Sequence, residues 1–183
     1  MIQKIAQHTA TSSSEVSTTS EGSTSWHYFA IIGVLGLFLA LFFRDPYLGT
    51  TLHPIQTGIA SITTALLGIF DIQVIQKGTI LVHSGGFACE ITPGCTGIIP
   101  LVLYIVAVLM YPARSAQKAW GLILGIVFLV GFNFIRLVHL VYLGAYHPSW
   151  FDVMHWVVWQ SLIALTVVAA WWAWTGWVRR KAL

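Results

Sequence analysis

The chain has 183 residues, of which 57% are hydrophobic and 8% are charged, and its formal net charge is +3. Too few polar side chains remain to cover a soluble domain of this length, so the composition excludes a soluble protein and indicates a polytopic membrane protein. The basic residues stand between apolar stretches instead of forming a patch, which argues against a nucleic-acid partner. Two cysteines without a C-x-x-C pattern argue against a structural zinc site or a disulfide scaffold.

Residues 1–25 are rich in serine and threonine and lack a hydrophobic period, so they are predicted to form a disordered tail before a membrane-embedded domain over residues 26–183. The first apolar run has no clear small-residue cleavage site, and no cleavable signal peptide is expected. Five apolar segments are predicted to form transmembrane helices: 27–43, 54–70, 97–111, 119–146 and 150–178. The second is the weakest, because it is short and carries several polar side chains.

The segment between the second and third predicted helices has a different character. Its pieces 72–75 and 79–83 favour β-structure and predict a small hairpin, which leads into a loop over residues 90–97. The expected fold class is therefore an all-α polytopic membrane protein with about five transmembrane helices and a small extracytoplasmic β-hairpin between helices two and three.

The positions of the basic residues predict the orientation in the membrane. Arg44, Arg114, Lys118 and the basic group 179–181 all fall on one side if five helices begin with the tail outside, and that side is cytoplasmic by the positive-inside rule. If the second segment is re-entrant, the tail moves to the cytoplasm while the later topology survives. We expect a multi-pass protein of the inner membrane, in contact with membrane lipids, whose loop 90–97 faces the extracytoplasmic side.

Arg136 is the only formal charge within residues 119–146. A guanidinium keeps its proton, and holding it against hydrocarbon costs from about 3 to above 10 kcal/mol. At about 1.5 Å per residue, a helix that enters near residue 119 carries Arg136 roughly 26 Å across a ~30 Å core, close to the outer face. The charge indicates a functional site, and the alternative is a structural pairing with Asp152 or with helix carbonyls.

Two further side chains are predicted to lie at the same depth as Arg136. Cys95 directly precedes the third segment, and His155 lies near the start of the fifth. These parts suit thiol-dependent acyl transfer, in which the imidazole takes the thiol proton, the thiolate attacks a carbonyl, and the guanidinium stabilises the oxyanion. Asn133, one turn before Arg136, either orients the guanidinium or makes a polar helix contact. Asp152, one turn before His155, either orients the imidazole or is a helix-start residue.

These residues resemble the motifs of a known family. Cys95-Thr96-Gly97-Ile98, Asn133-Phe134-Ile135-Arg136 and His155 are similar to the C-[ST]-G-[IL], N-x-x-R and H motifs of the exosortase/archaeosortase family of membrane-embedded protein-sorting enzymes. The resemblance covers about residues 72–165, and the chain is similar in size to the compact exosortase H type. It implies that Cys95 is the nucleophile, that Arg136 and His155 complete the site, and that no cofactor is needed.

The resemblance also implies a substrate. Enzymes of this kind act on exported proteins whose C-terminal sorting signal consists of a short motif, a hydrophobic helix and a basic end. They cleave before the helix through a thioester and pass the acyl group to an acceptor that this sequence does not identify.

Three other interpretations stay open. Cys89 and Cys95 could form a structural disulfide or serve a membrane thiol-disulfide oxidoreductase. His139 and His147 leave open a metal or haem site, although no H-x-x-x-H pair or carboxylate cluster accompanies them. The chain could also be a non-enzymatic assembly subunit whose Arg136 pairs with a partner helix.

Overall fold

A computed structural model describes residue 33 and residues 48–181. Apart from residue 33, the described residues belong to the compact unit that spans residues 45–183. The predicted tail 1–25 lies outside the described residues, as does the predicted first helix apart from residue 33. Both therefore stay predictions.

The described residues are mostly helical. Their main helices are α1 (Leu48–Ile69), α2 (Ile98–Met110), α3 (Ser115–Tyr146), α4 (Pro148–Val153) and α5 (Trp159–Arg180), with a 3₁₀ turn at Pro93–Cys95 and a π-helical turn at Met154–Val158. By length and composition, α3 and the continuous helix Pro148–Arg180 can each cross a membrane, and α2 is a shorter apolar helix. The described part is thus a helical, membrane-like structure.

α1 differs from the predicted second span. It begins at Leu48, ahead of Pro54, and is not among the helices apolar enough to qualify as a span in the described part of the chain. Its hydroxyl side chains bond back to the carbonyl four residues earlier; Thr63, for example, donates to Ile59 at 2.8 Å. Such local bonds let an apolar helix carry threonine and serine without leaving their hydroxyls unpaired.

The predicted hairpin is present, and a third strand that was not predicted extends it. The described sheet has three antiparallel strands in the order β1 (Val74–Lys77), β2 (Ile80–His83) and β3 (Ala88–Glu90). β3 ends at the first residue of the predicted loop 90–97 and was not predicted, because a three-residue Ala-Cys-Glu segment has little β-propensity of its own. Pairing with β2, in which Leu81 faces Cys89, supplies the backbone hydrogen bonds that define it.

Two buried clusters hold the described helices together. The first joins α1, the sheet and α3 and includes Leu67, Leu81, Ile91, Cys95 and Leu137. The second joins α2, α3 and α5 around Tyr104 and Trp174. The candidate nucleophile is therefore part of the core beneath the sheet.

The sheet lies at the C-terminal end of α3. The ring of Phe87 packs so closely on Gly144 that a side chain at residue 144 would collide with it. The ring of His83 meets that of Tyr146 edge to face, with 5.4 Å between the centroids. On the other side, the amide of Gln56 donates to the carbonyl of Ile91 at 2.8 Å, which ties α1 to the loop after β3.

Candidate active site

Cys95 is positioned by the tight turn between β3 and α2. Pro93 opens the 3₁₀ turn, and the backbone N–H of Cys95 donates to the carbonyl of Thr92 at 2.9 Å. The hydroxyl of Thr92 donates to the Cys95 sulfur at 3.4 Å. Sequence reasoning did not identify Thr92, yet its hydroxyl is a donor that can stabilise a thiolate. The Thr-Pro pair before the cysteine is the sequence signal of this turn.

Asn133 holds the same turn from α3. Its Nδ2 donates to the carbonyl oxygen of Cys95 at 3.1 Å, and the amide orientation follows because a carbonyl can only accept. Gly97 has a φ of 75°, and a Cβ there would lie 3.0 Å from Cγ of Asn133. Glycine at this position therefore serves both the left-handed backbone and the approach of Asn133. Asn133 anchors the cysteine turn, whereas the sequence suggested a contact with the guanidinium.

Arg136 is buried one turn further along α3, with 3% of its surface exposed. Its Nε has no hydrogen-bond partner among residues 48–181, and neither has Oδ1 of Asn133. The described residues also contain no ion pair between Arg136 and Asp152, so the alternative of a structural lock finds no support there. The positive charge acts electrostatically on the thiols of Cys95 and Cys89. A permanent cation with an unused donor thus lies within electrostatic range of the candidate nucleophile.

His155 lies in the π-helical turn, which the sequence did not predict. Its half-buried ring stacks on Trp156 at 5.1 Å between centroids and meets Phe151 edge to face at 5.5 Å. The imidazole interacts electrostatically with Arg136 and with the exposed Asp152. No hydrogen bond joins His155 to Cys95 or to Asp152 within the described range. The structure therefore joins Asn133 to Cys95 by a hydrogen bond and places both Cys95 and His155 within reach of the charge of Arg136. His155 itself is not bonded to the thiol.

Cys89 is a neighbour of the site. It lies on β3, interacts electrostatically with Cys95 and Arg136, and both cysteines are free thiols. Burial, the Cys95 thiol and the Glu90 carboxylate together raise the pKa of Cys89 to about 11, although the charge of Arg136 acts in the opposite direction. Cys89 is thus a neutral thiol at physiological pH.

The histidines considered for a metal or haem site have other contacts. Nδ1 of His139 accepts a hydrogen bond from the indole N–H of Trp159 at 3.0 Å, which ties α3 to α5. The ring of His147 packs against Tyr142. The described residues include no group of three or more histidine, cysteine or acidic side chains that could hold a metal ion.

Comparison with known proteins places these observations in a family context. A profile described as transmembrane exosortase matches residues 20–173, which include the turn at Cys95, all of α3 and the π-helical turn. Comparisons with curated proteins and with solved structures found no match.

Proposed function

Since this chain belongs to the transmembrane exosortase family, we propose that it is a cysteine-dependent transpeptidase or protease of the inner membrane. Its substrates are exported proteins with a C-terminal sorting signal made of a short motif, a hydrophobic helix and a basic end. Its active site faces the extracytoplasmic side, where these substrates arrive.

The proposed reaction proceeds in two acyl-transfer steps. The thiol of Cys95 gives its proton to His155, and its sulfur forms a bond to the substrate carbonyl carbon while Arg136 stabilises the oxyanion. The C–N bond breaks, the leaving amine takes the proton from His155, and a thioester remains on Cys95. An acceptor amine or water then attacks the thioester and restores the thiol.

The observation that carries this proposal is the buried, unpaired Nε of Arg136, whose guanidinium interacts electrostatically with the Cys95 thiol. A buried donor without a partner costs about 1–3 kcal/mol, and more when it is charged. That cost is offset when a substrate carbonyl oxygen accepts from the guanidinium, and the bond strengthens as the oxygen gains negative charge. The contacts of Thr92 and Asn133 with Cys95 support the proposal, because they fix the nucleophile against this donor.

A co-expressed exported reporter with such a C-terminal signal tests the function. Cys95→Ala should abolish its cleavage, and Cys89→Ala should largely spare it. Arg136→Lys keeps the charge but loses the planar fork, and we expect a loss of about a hundredfold or more with normal membrane insertion. Reporter size on a gel and the mass of the new C-terminus are the measurements.

The same variants separate this function from the thiol-disulfide oxidoreductase. That reaction needs both cysteines, so equal loss in Cys89→Ala and Cys95→Ala would favour redox chemistry. Undiminished cleavage in Arg136→Lys would remove the guanidinium from the oxyanion role.

A further inference from the structure

A small apolar cavity is lined at one end by the two residues that directly follow the candidate nucleophile. Its volume is about 210 Å³, and Thr96, Gly97 and Asn133 form the end next to Cys95. The remaining wall comes from four helices, with Ile59 on α1, Leu101 on α2, Leu129 on α3, and Ile163 and Thr166 on α5. An enclosed aliphatic cavity of about 150 Å³ can hold a benzene ring, so this cavity has room for a leucine or phenylalanine side chain.

One polar atom at this cavity lacks a partner. Asn133 is 7% exposed and lines the cavity, and its Oδ1 forms no hydrogen bond with any described residue. Its Nδ2 is already used by the carbonyl of Cys95. The free atom is an acceptor, and a backbone N–H is the donor that a peptide brings into an apolar site.

The cavity lies on the side of Cys95 away from the sheet. Its wall residues follow Cys95 along α2 and precede Arg136 along α3, so it extends among the apolar helices. A substrate that is cleaved just before its hydrophobic helix places that helix on the same side. The first residue after the cleaved bond therefore arrives next to the cavity.

We propose, on the basis of the function proposed above, that this cavity is the subsite for the first substrate residue after the cleaved bond. It selects an apolar side chain of leucine or phenylalanine size. Oδ1 of Asn133 accepts a backbone N–H from the same stretch of substrate. Asn133 is then a positioning residue for the Cys95 turn and a binding residue for the substrate.

The first test compares four reporters that differ only at this position, with glycine, alanine, leucine or phenylalanine. The cleaved bond is first located by mass spectrometry, and initial cleavage rates are measured with the full chain in membranes. We expect leucine and phenylalanine to be cleaved about tenfold faster than glycine, because only they fill the cavity. Thr166→Phe fills the cavity and should abolish this preference by slowing the large substrates and sparing glycine and alanine.

Two further variants separate an effect on the cavity from a general effect on folding. Leu165→Phe adds similar bulk to the adjacent residue, which is 64% exposed and does not line the cavity, and it should leave the four rates unchanged. Ile163→Ala enlarges the cavity and should raise the rate for phenylalanine relative to leucine. Equal rates for the four reporters in the wild type would overturn the subsite and leave the proposed function intact. The same conclusion follows if Thr166→Phe slows all four reporters equally and Ile163→Ala does not change the ratio of the phenylalanine rate to the leucine rate. If no reporter shows Cys95-dependent cleavage, both fail.

A second measurement tests Asn133 without turnover. Synthetic signal peptides are added to the protein, and their binding is measured by how well they protect Cys95 from alkylation. Two of the peptides carry a methyl group on one backbone nitrogen, either that of the first or that of the second residue after the cleaved bond. One methylation should weaken protection about tenfold in the wild type, because it removes the N–H that Oδ1 accepts. It should have less than a twofold effect in Asn133→Ala. Equal losses in the two proteins would show that Asn133 only holds the cysteine turn.

Discussion

Two buried atoms on one face of α3 share a property that defines the site. Nε of Arg136 is a donor and Oδ1 of Asn133 is an acceptor, and neither has a partner among the described residues. Proteins pair nearly all buried polar atoms with hydrogen-bond partners. Two unpaired buried atoms one helical turn apart therefore lower the stability of the folded chain, and a ligand that pairs with them would explain why they are kept. A peptide backbone supplies one acceptor and one donor in each residue, which is the basis for proposing a peptide substrate at these two atoms.

The thiol of Cys89 gives a prediction that depends on pH. Its pKa is raised to about 11, chiefly by burial, and the thiolate is the species that reacts with alkylating agents. At pH 8, only about one Cys89 side chain in a thousand is then ionised. In the wild-type chain, where the Cys95 thiol helps to raise this pKa, we expect the iodoacetamide rate at Cys89 to rise about tenfold per pH unit between pH 7 and 10, without a plateau. Mass spectrometry of the modified peptide gives the rate.

A matched variant checks the cause of this behaviour. Glu90 is one of the neighbours that raise the pKa of Cys89, because its negative charge disfavours the thiolate. Glu90→Gln should therefore speed alkylation at every pH below the plateau. A plateau by pH 9 in the parent protein would contradict the raised pKa and would restore Cys89 as a candidate attacking thiol.

At this scale, the sequence predicted a common depth, and the contacts come from the structure. A rise of about 1.5 Å per residue predicts similar membrane depths for Arg136, Cys95 and His155, which stays a prediction. In the structure the charge of Arg136 interacts electrostatically with Cys95 and His155. Contacts depend on how each helix is rotated against its neighbours, which a single sequence does not specify. For this reason the bond from Asn133 to the Cys95 carbonyl was not predicted, whereas the closeness of Cys89 to Cys95 was considered only as a possible disulfide or redox pair.

Among the elements, the π-helical turn Met154–Val158 has the clearest link to function. It interrupts the helix Pro148–Arg180 where His155 lies, and the backbone N–H of Trp159 closes it on the carbonyl of Met154. π-helical turns often occur at functional sites, because one extra residue changes the direction of the side chains before it. The hydrogen bond between Trp159 and His139 fixes the helix just after the turn.

Deleting Val157 tests the role of this turn. Removal of one residue should convert the turn to α-helix and rotate His155 by about 100° relative to α5. We expect reporter cleavage to fall to the level of His155→Ala, while the amount of protein in the membrane stays normal. Quantitative blots of the reporter and of the enzyme measure both effects.

Val157→Ala is the control, because it keeps the residue count and alters a side chain that is 59% exposed. It should cleave the reporter at the wild-type rate. Cleavage that survives the deletion would remove His155 from acid–base chemistry and leave its ring with a packing role against Phe151 and Trp156.

Apolar periodicity and length predicted the helical elements well and the irregular ones poorly. α2 at Ile98–Met110 closely matches the predicted span 97–111, because a continuous apolar run bounded by glycine and proline signals leaves little choice. β3 and the π-helical turn carry no local signal. β3 forms through its pairing with β2, which is a tertiary effect.

At the scale of the whole molecule, the length of α3 determines how far apart its two ends lie. Its 32 residues extend roughly 48 Å, so its two ends lie at opposite faces of any membrane that it crosses. The sheet contacts its C-terminal end through Phe87 at Gly144 and His83 at Tyr146. Arg114 and Lys118 flank its start. The sheet and Cys95 are therefore expected on the face opposite to these basic residues, and the positive-inside rule assigns that face to the outside.

Accessibility to an impermeant thiol reagent tests this orientation in intact cells. In a background with Cys89→Ala and Cys95→Ala, single cysteines replace Lys77 on the sheet, His147 after α3, or Ser115 at its start, all three exposed positions. We expect the first two to be labelled from outside and Ser115→Cys only after the membrane is permeabilised. Labelling in the reverse pattern would place the site on the cytoplasmic face, where exported substrates do not arrive. Labelling of Lys77→Cys and Ser115→Cys alike in intact cells would show that α3 does not cross the membrane, which would contradict the arrangement on which the proposed function depends.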